Sequence, residues 1–174
     1  MNQNLTGTEL KRLHREWRKK PKGNLSIIIC GVQGPHNIGS ILRSSAAERV
    51  DQIWFSSNAT TPENPKVGKT ALGSERYLKW EETISTSQAI EEARSQGYKV
   101  VALELATDSV PIQEADLNGD ICIVVGHEDR GLEPEILAEC DFSTFIPQLG
   151  KIGSLNVAVA TAIAIYEIRR QGWS

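Results

Sequence analysis

Five short runs do most to limit what this chain can become: LSIIIC (25–30), DQIWF (51–55), KVVALEL (99–105), DICIVVG (120–126) and FSTFIP (142–147). Each is too short for an ordinary helix and rich in Ile, Val or Phe, so each reads as a strand. Between them lie stretches of helical character: IGSILRSSAAE (38–48), SQAIEEARSQG (87–97) closed by Gly97, EPEILAEC (133–140) and LNVAVATAIAIYEIRRQ (155–171). Nearly continuous apolar strands separated by helices predict an α/β fold, a mostly parallel sheet flanked by helices on both faces. The 174 residues suit one domain that buries roughly two-thirds of the surface its unfolded chain exposes. Ligands of such sheets bind beyond the carboxyl ends of the strands. Polar clusters follow Cys30, Leu105, Val125 and Ile146, so four loops are expected on one rim.

The first of these loops, GPHNIGSILR (34–43), lies between a strand and a helix, where phosphates are often held. It is not a P-loop, because Ser40 stands where the pattern G-x-x-x-x-G-K-[ST] requires a lysine. Gly31, Gly34 and Gly39 also miss the dinucleotide spacing G-x-G-x-x-G, which counts against an ordinary nucleotide-binding enzyme. What remains is a constellation of Asn37, Gly39 and Arg43. Asn37 is expected to cap the helix, while Gly39 leaves room one turn from the Arg43 guanidinium, which can grip a phosphate through two hydrogen bonds.

VVGHEDRGLEPEIL follows a buried strand and packs His127, Glu128, Asp129 and Arg130 between Gly126 and Gly131. His14 and His36 belong to distant segments, so no metal is expected at His127. In IPQLGKIGSLNVAVATAIAIYE, Gly150 and Gly153 free a loop to wrap closely around something. Ser154 is expected to cap the last helix. Asn156 then stands without an explanation, since asparagine is a poor residue for a helix interior.

Net charge is −3 but unevenly placed. Residues 1–22 carry seven Lys and Arg against two Glu, a net +5, which leaves −8 on the remainder. A basic arm on an acidic body points to a polyanion partner, although a solvated helix face accounts for the arm equally well. The arm is expected to be helical, with Thr6 and Glu9 as a capping box, Leu5 and Leu10 as a hydrophobic staple, and Pro21 and Gly23 as its end. Cys30, Cys122 and Cys140 are odd in number and lack C-x-x-C spacing, so they read as reduced thiols of a cytoplasmic protein. The apolar run 157–166 is too short to span a bilayer and no apolar signal core opens the chain, so no membrane is expected.

Together the three segments resemble the three motifs of the SpoU branch of the SPOUT RNA methyltransferases. The residues that carry the likeness are Asn37, Gly39 and Arg43; Gly126, Glu128 and Gly131; and Pro147, Gly150, Ser154, Leu155 and Asn156. KTALGSERYLKW (69–80) looks similar to the family as well, whereas His127 stands where relatives often have Asn. The resemblance implies an S-adenosylmethionine-dependent RNA 2′-O-ribose methyltransferase, with an arm over residues 1–23 and a SPOUT domain over 24–174. It also implies a deep C-terminal trefoil knot, against the strong general bias of proteins toward unknotted chains. Backbone groups at Leu103, Gly126, Ile146 and Leu155, with Ser154, would hold the cofactor. Arg43 would be the central catalytic residue, oriented together with ribose and cofactor by Asn37, Glu128, Ser154 and Asn156. The likeness further implies a homodimer acting on RNA. A tRNA, with a D-loop guanosine as target, comes ahead of ribosomal RNA, because the segment IPQLGKIGSLNVAVA looks most similar to that of enzymes that methylate this tRNA position. A non-catalytic RNA-binding protein that keeps the fold is the alternative.

Overall fold

The structure, a computed structural model, describes residues 3–173; residues 1 and 2 of the expected arm and residue 174 of the expected domain lie outside it. Its centre is a sheet of seven strands: β1 (Leu25–Cys30), β2 (Gln52–Ser56), β3 (Trp80–Glu82), β4 (Lys99–Leu103), β5 (Val110–Pro111), β6 (Ile121–Val125) and β7 (Phe142–Phe145). Their order is β3-β2-β1-β6-β4-β7-β5, and every pairing is parallel. The expected sheet is therefore present and entirely parallel. β3 and β5 are additions, edge strands of three and two residues with too little apolar content to read in advance.

Alternation along each strand divides the core into two layers. Ile27 and Ile29 of β1 join Ile53, Val101, Ile123 and Val125 on one face, while Ile28, Trp54, Val100, Ala102 and Val124 occupy the other. The first face is covered by α2 (Pro35–Ala47) and α6 (Val157–Gln171). The second is covered by α4 (Thr86–Ser95) and α5 (Pro134–Glu139). Ile38, Ile41, Leu42 and Ser45 are buried positions of α2 at the i, i+3, i+4, i+7 spacing of one helix face, and Gly39 is buried beside them. Each such isoleucine or leucine contributes about 1.5–3 kcal/mol by leaving water.

The stretch 56–82, which joins β2 to the end of β3, folds against α2. Within it lie α3 (Gly68–Ala71), a 3-10 turn (Ser74–Tyr77) and β3. Gly39 explains the contact. A Cβ there would stand 2.7 Å from both the Val67 carbonyl oxygen and Thr70 Cβ. The space beside Gly39 is thus filled by α3 and does not serve the Arg43 guanidinium.

The arm forms α1 (Gly7–Trp17) with the expected capping box, Thr6 N–H donating to Glu9 Oε2 at 2.8 Å. Leu5 and Leu10 stay 53% and 43% exposed, and no residue of α1 is buried. The helix stops at Trp17, ahead of Pro21. It is moored at that end: Trp17 meets the edge of Trp173 at 4.9 Å, and Lys22 N–H donates to the Gly172 carbonyl. Nearby, the buried Arg169 of α6 donates to the carbonyls of Gly23, Glu48 and Arg49. Among the described residues no helix is long and apolar enough to cross a membrane.

Candidate active site

Because all strands are parallel, the loops after β1, β4, β6 and β7 emerge on one edge of the sheet. There the last three of these loops border an open cleft of about 590 Å3. All five residues expected to touch a cofactor, Leu103, Gly126, Ile146, Ser154 and Leu155, line it, as does Glu128. The volume lies within the usual span of small-molecule sites. Leu103, Ile146 and Leu155 supply apolar walls, and the polar part of the lining includes Glu104, Glu128 and Asp129. Arg130 lines it as well, so such a cleft suits a flat heterocycle carrying a charged tail.

The loop after β6 keeps its shape through two glycines. Gly131 N–H donates to the His127 carbonyl at 2.9 Å, folding the segment back on itself. A Cβ on Gly126 would lie 2.5 Å from the Gly131 carbonyl carbon. Gly131 has φ of +66°, and a Cβ there would strike the Glu104 carboxylate at 2.3 Å. Glu104 itself receives Leu132 N–H on Oε2 and Leu105 N–H on Oε1, both at 3.0 Å, and so ties the end of β4 to this loop. Sequence reasoning passed over Glu104. Its signal was a carboxylate closing an otherwise apolar strand. His127 Nδ1 accepts the Asp129 N–H at 3.1 Å and supports the same turn.

Three distant segments meet through one hydrogen-bonded chain. Glu128 Oε1 accepts from Gly34 N–H at 2.8 Å and from Asn37 Nδ2 at 3.0 Å, and Oε2 accepts from Gln33 N–H at 3.3 Å. Asn37 Oδ1 accepts from Asn156 Nδ2 at 2.9 Å, and Asn156 Oδ1 accepts from the backbone N–H groups of Ala158 and Val159. Backbone donors stand at both ends, and a carboxylate can only accept, so both amides have one self-consistent orientation. Burial of the Glu128 carboxyl pushes its pKa up, but the hydrogen bonds from Asn37 and from the backbone outweigh this and hold it below the ordinary carboxylate value. The positive end of α2 favours the same charged form.

Two cap assignments are corrected by this geometry. Asn156, not Ser154, caps α6, which begins at Val157. Asn37 lies inside the first turn of α2, whose N-cap is Gly34, and its amide is engaged with Glu128 and Asn156. Ser154 is left exposed on the cleft wall. Arg43 is exposed on α2, six residues or about 9 Å along the axis from Asn37, and is not part of the cleft lining. It makes no hydrogen bond or ion pair with any described residue.

The sequence profile of the SpoU rRNA methylase family matches residues 24–166, and the chain belongs to that family. The 23S rRNA (guanosine-2′-O-)-methyltransferase RlmB of Coxiella burnetii is 35% identical over 154 residues, covering 88% of this chain and 61% of that protein. The tRNA (guanosine(18)-2′-O)-methyltransferase of Escherichia coli is 31% identical over 157 residues, 88% of this chain and 66% of that one. Among solved structures, an AdoMet-bound rRNA methyltransferase from Sinorhizobium meliloti superposes with a TM-score of 0.81 at 29% identity, covering 89% of this chain and 59% of that chain. The chain thus spans about three-fifths of the length of the first curated relatives it matches.

Proposed function

We propose that this chain is an S-adenosylmethionine-dependent RNA 2′-O-ribose methyltransferase acting on tRNA. The observation that carries the reading is the Glu128–Asn37–Asn156 chain, which draws all three motif segments together beside a cleft lined by every expected cofactor residue. Leu103, Gly126, Ile146, Ser154 and Leu155 hold the cofactor, which when bound supplies an electrophilic methyl group on a sulfonium. The C-terminal trefoil knot belongs to the same reading, since threading the end of the chain would hold segments 126–132 and 146–156 together around the cleft.

Arg43 works on the substrate. A guanidinium offers five N–H donors and no acceptor, so Arg43 serves as a clamp on an RNA phosphate and not as a base. The clamp aligns the neighbouring ribose hydroxyl for in-line attack, and the clamped phosphate accepts the proton that the hydroxyl releases. Asn37, Glu128 and Asn156 fix the start of α2, and with it the direction from which Arg43 projects, while Ser154 meets ribose or cofactor from the cleft wall. The protein works as a cytoplasmic homodimer, its residues 1–23 forming a basic arm on a domain of residues 24–174. Val159, Ile163 and Tyr166 support the dimer, because they give α6 an apolar face that the single chain leaves 40–51% exposed.

Incubation with labelled S-adenosylmethionine and either total tRNA or total ribosomal RNA, followed by mapping of ribose methylation, tests the proposal. Label is expected on a ribose 2′-oxygen of tRNA, with a D-loop guanosine as the foremost position. Methylation of ribosomal RNA alone favours the second reading, to which the likeness to the Coxiella burnetii enzyme points. Binding of RNA and cofactor with no transfer to either pool would leave a non-catalytic RNA-binding protein.

A further inference from the structure

A second cleft, of about 660 Å3, opens at the opposite edge of the sheet, where α1 ends, α2 ends and the chain enters β2 and β3. Arg18, Arg49, Lys79 and Tyr77 line it. Three cations converge there, and Tyr77 stands beside them 82% exposed. Among the described residues Asp51 is the only carboxylate in the lining, and it is already engaged: Oδ2 accepts Leu25 N–H at 2.8 Å and lies 3.6 Å from the buried Arg169 guanidinium. Arg18 and Lys79 have no side-chain partner among the described residues, and Arg49 gives only one donor, to the Arg18 carbonyl at 3.0 Å. Positive charge is gathered here and left unneutralised.

The position of the cleft relative to Arg43 narrows what it can bind. Ala46, another lining residue, lies three positions after Arg43 on α2, so the two are neighbours on one helix face. The cationic cleft therefore begins one turn beyond the residue assigned to the substrate phosphate, and it continues onto the end of the basic α1. An extended polyanion gripped at Arg43 reaches it without leaving the surface. A phosphodiester backbone with a base stacked on an exposed aromatic ring matches both features of the lining.

We infer that the cleft of Arg18, Arg49, Lys79 and Tyr77 is a second RNA contact, in which the cations hold backbone phosphates and Tyr77 stacks on an unpaired base flanking the methylated nucleotide. This rests on the RNA methyltransferase reading above. The cleft lies away from the proposed cofactor site, so it governs RNA affinity and leaves cofactor affinity alone.

The test is the binding of labelled total tRNA and labelled total ribosomal RNA to the full chain, across roughly 50 to 200 mM salt. The triple variant Arg18→Gln, Arg49→Gln, Lys79→Gln is expected to bind the preferred pool at least about tenfold more weakly, with the log–log salt slope reduced by about 2. Tyr77→Ala is expected to lose about fivefold or more, and Tyr77→Phe, which keeps the ring face, to restore affinity. Cofactor affinity and melting temperature report that the variants fold and should match wild type. Variants that bind RNA within twofold of a wild type that itself binds and methylates would overturn the cleft and spare the proposed function. A weaker but equally salt-dependent triple variant would overturn the phosphate assignment. A wild type that neither binds nor methylates RNA removes both.

Discussion

Asn37 and Arg43 sit six residues apart on α2, yet one side chain is held on both sides and the other makes no hydrogen bond or ion pair with any described residue. Asn37 is fixed by Glu128 and Asn156, which belong to segments 91 and 119 residues away along the chain. The Arg43 side chain, like those of Arg18 and Lys79, has no hydrogen-bond or ion-pair partner among the described residues. The start of the helix spends its polar groups on organising the protein, and the later part keeps its charges available. The contrast separates preorganisation from substrate contact, two contributions that catalysis requires but that different substitutions should remove.

The largest effect should come from the free end of the helix. Arg43→Ala is expected to slow ribose methylation by about 10²–10³-fold, with melting temperature and cofactor affinity unchanged. Near-normal turnover would abolish the distinction between the two regions.

Glu128→Gln should act in the opposite way, through stability. The amide offers one acceptor to a pocket of three donors, so about 2 kcal/mol should be lost near neutral pH. Since folding lowers the Glu128 pKa, its contribution is complete above the ordinary value of 4.5 and fades as pH falls below that toward the lowered value. Denaturant titrations of wild type and variant should therefore converge on acidification through that window. A difference that grows instead would mean the carboxylate is not stabilised by folding.

The smallest effect sharpens the corrected cap. Asn156→Ala should cost about 1 kcal/mol by removing the acceptor for the first N–H groups of α6, while Ser154→Ala should leave the melting temperature unchanged. Equal losses for the two would return the cap to the earlier residue.

Much of this was readable before any coordinates. The strand runs carried the sheet, because residues buried on both faces have no polar alternation to obscure them. The shared rim followed once the strands were parallel, since their carboxyl ends must lie on one edge, whereas Leu103, Gly126 and Ile146 as its walls came from the family resemblance. Asn37 and Asn156 were harder. Asn37 looks like a cap within its own segment and Asn156 has no local explanation in its own, and only the fold brings one amide against the other. Ser154 and Asn156 are both good caps by residue type, and the two-residue choice between them lies within the usual blur of helix boundaries. Residues 56–82 hid their structure because Val67, Ala71 and Leu78 are too sparse to form a period, yet each is buried. Gly39 was misread for the same reason: the helix that fills its space is four residues long.

The position of β6 bears on how the chain assembles as it is made. This fully buried strand lies between β1 and β4 but follows both in sequence, with β1 some 96 residues ahead of its partner, Leu25 opposite Ile121. A nascent chain that stops short of it has β1 and β4 with open hydrogen-bonding edges where the middle of the sheet belongs. Such edges invite pairing with other chains, and closing so long a loop slows folding. Emergence of Ile121–Val125 from the ribosome is thus the event that joins the two halves of the molecule, and arrest just before it would give the species most exposed to aggregation.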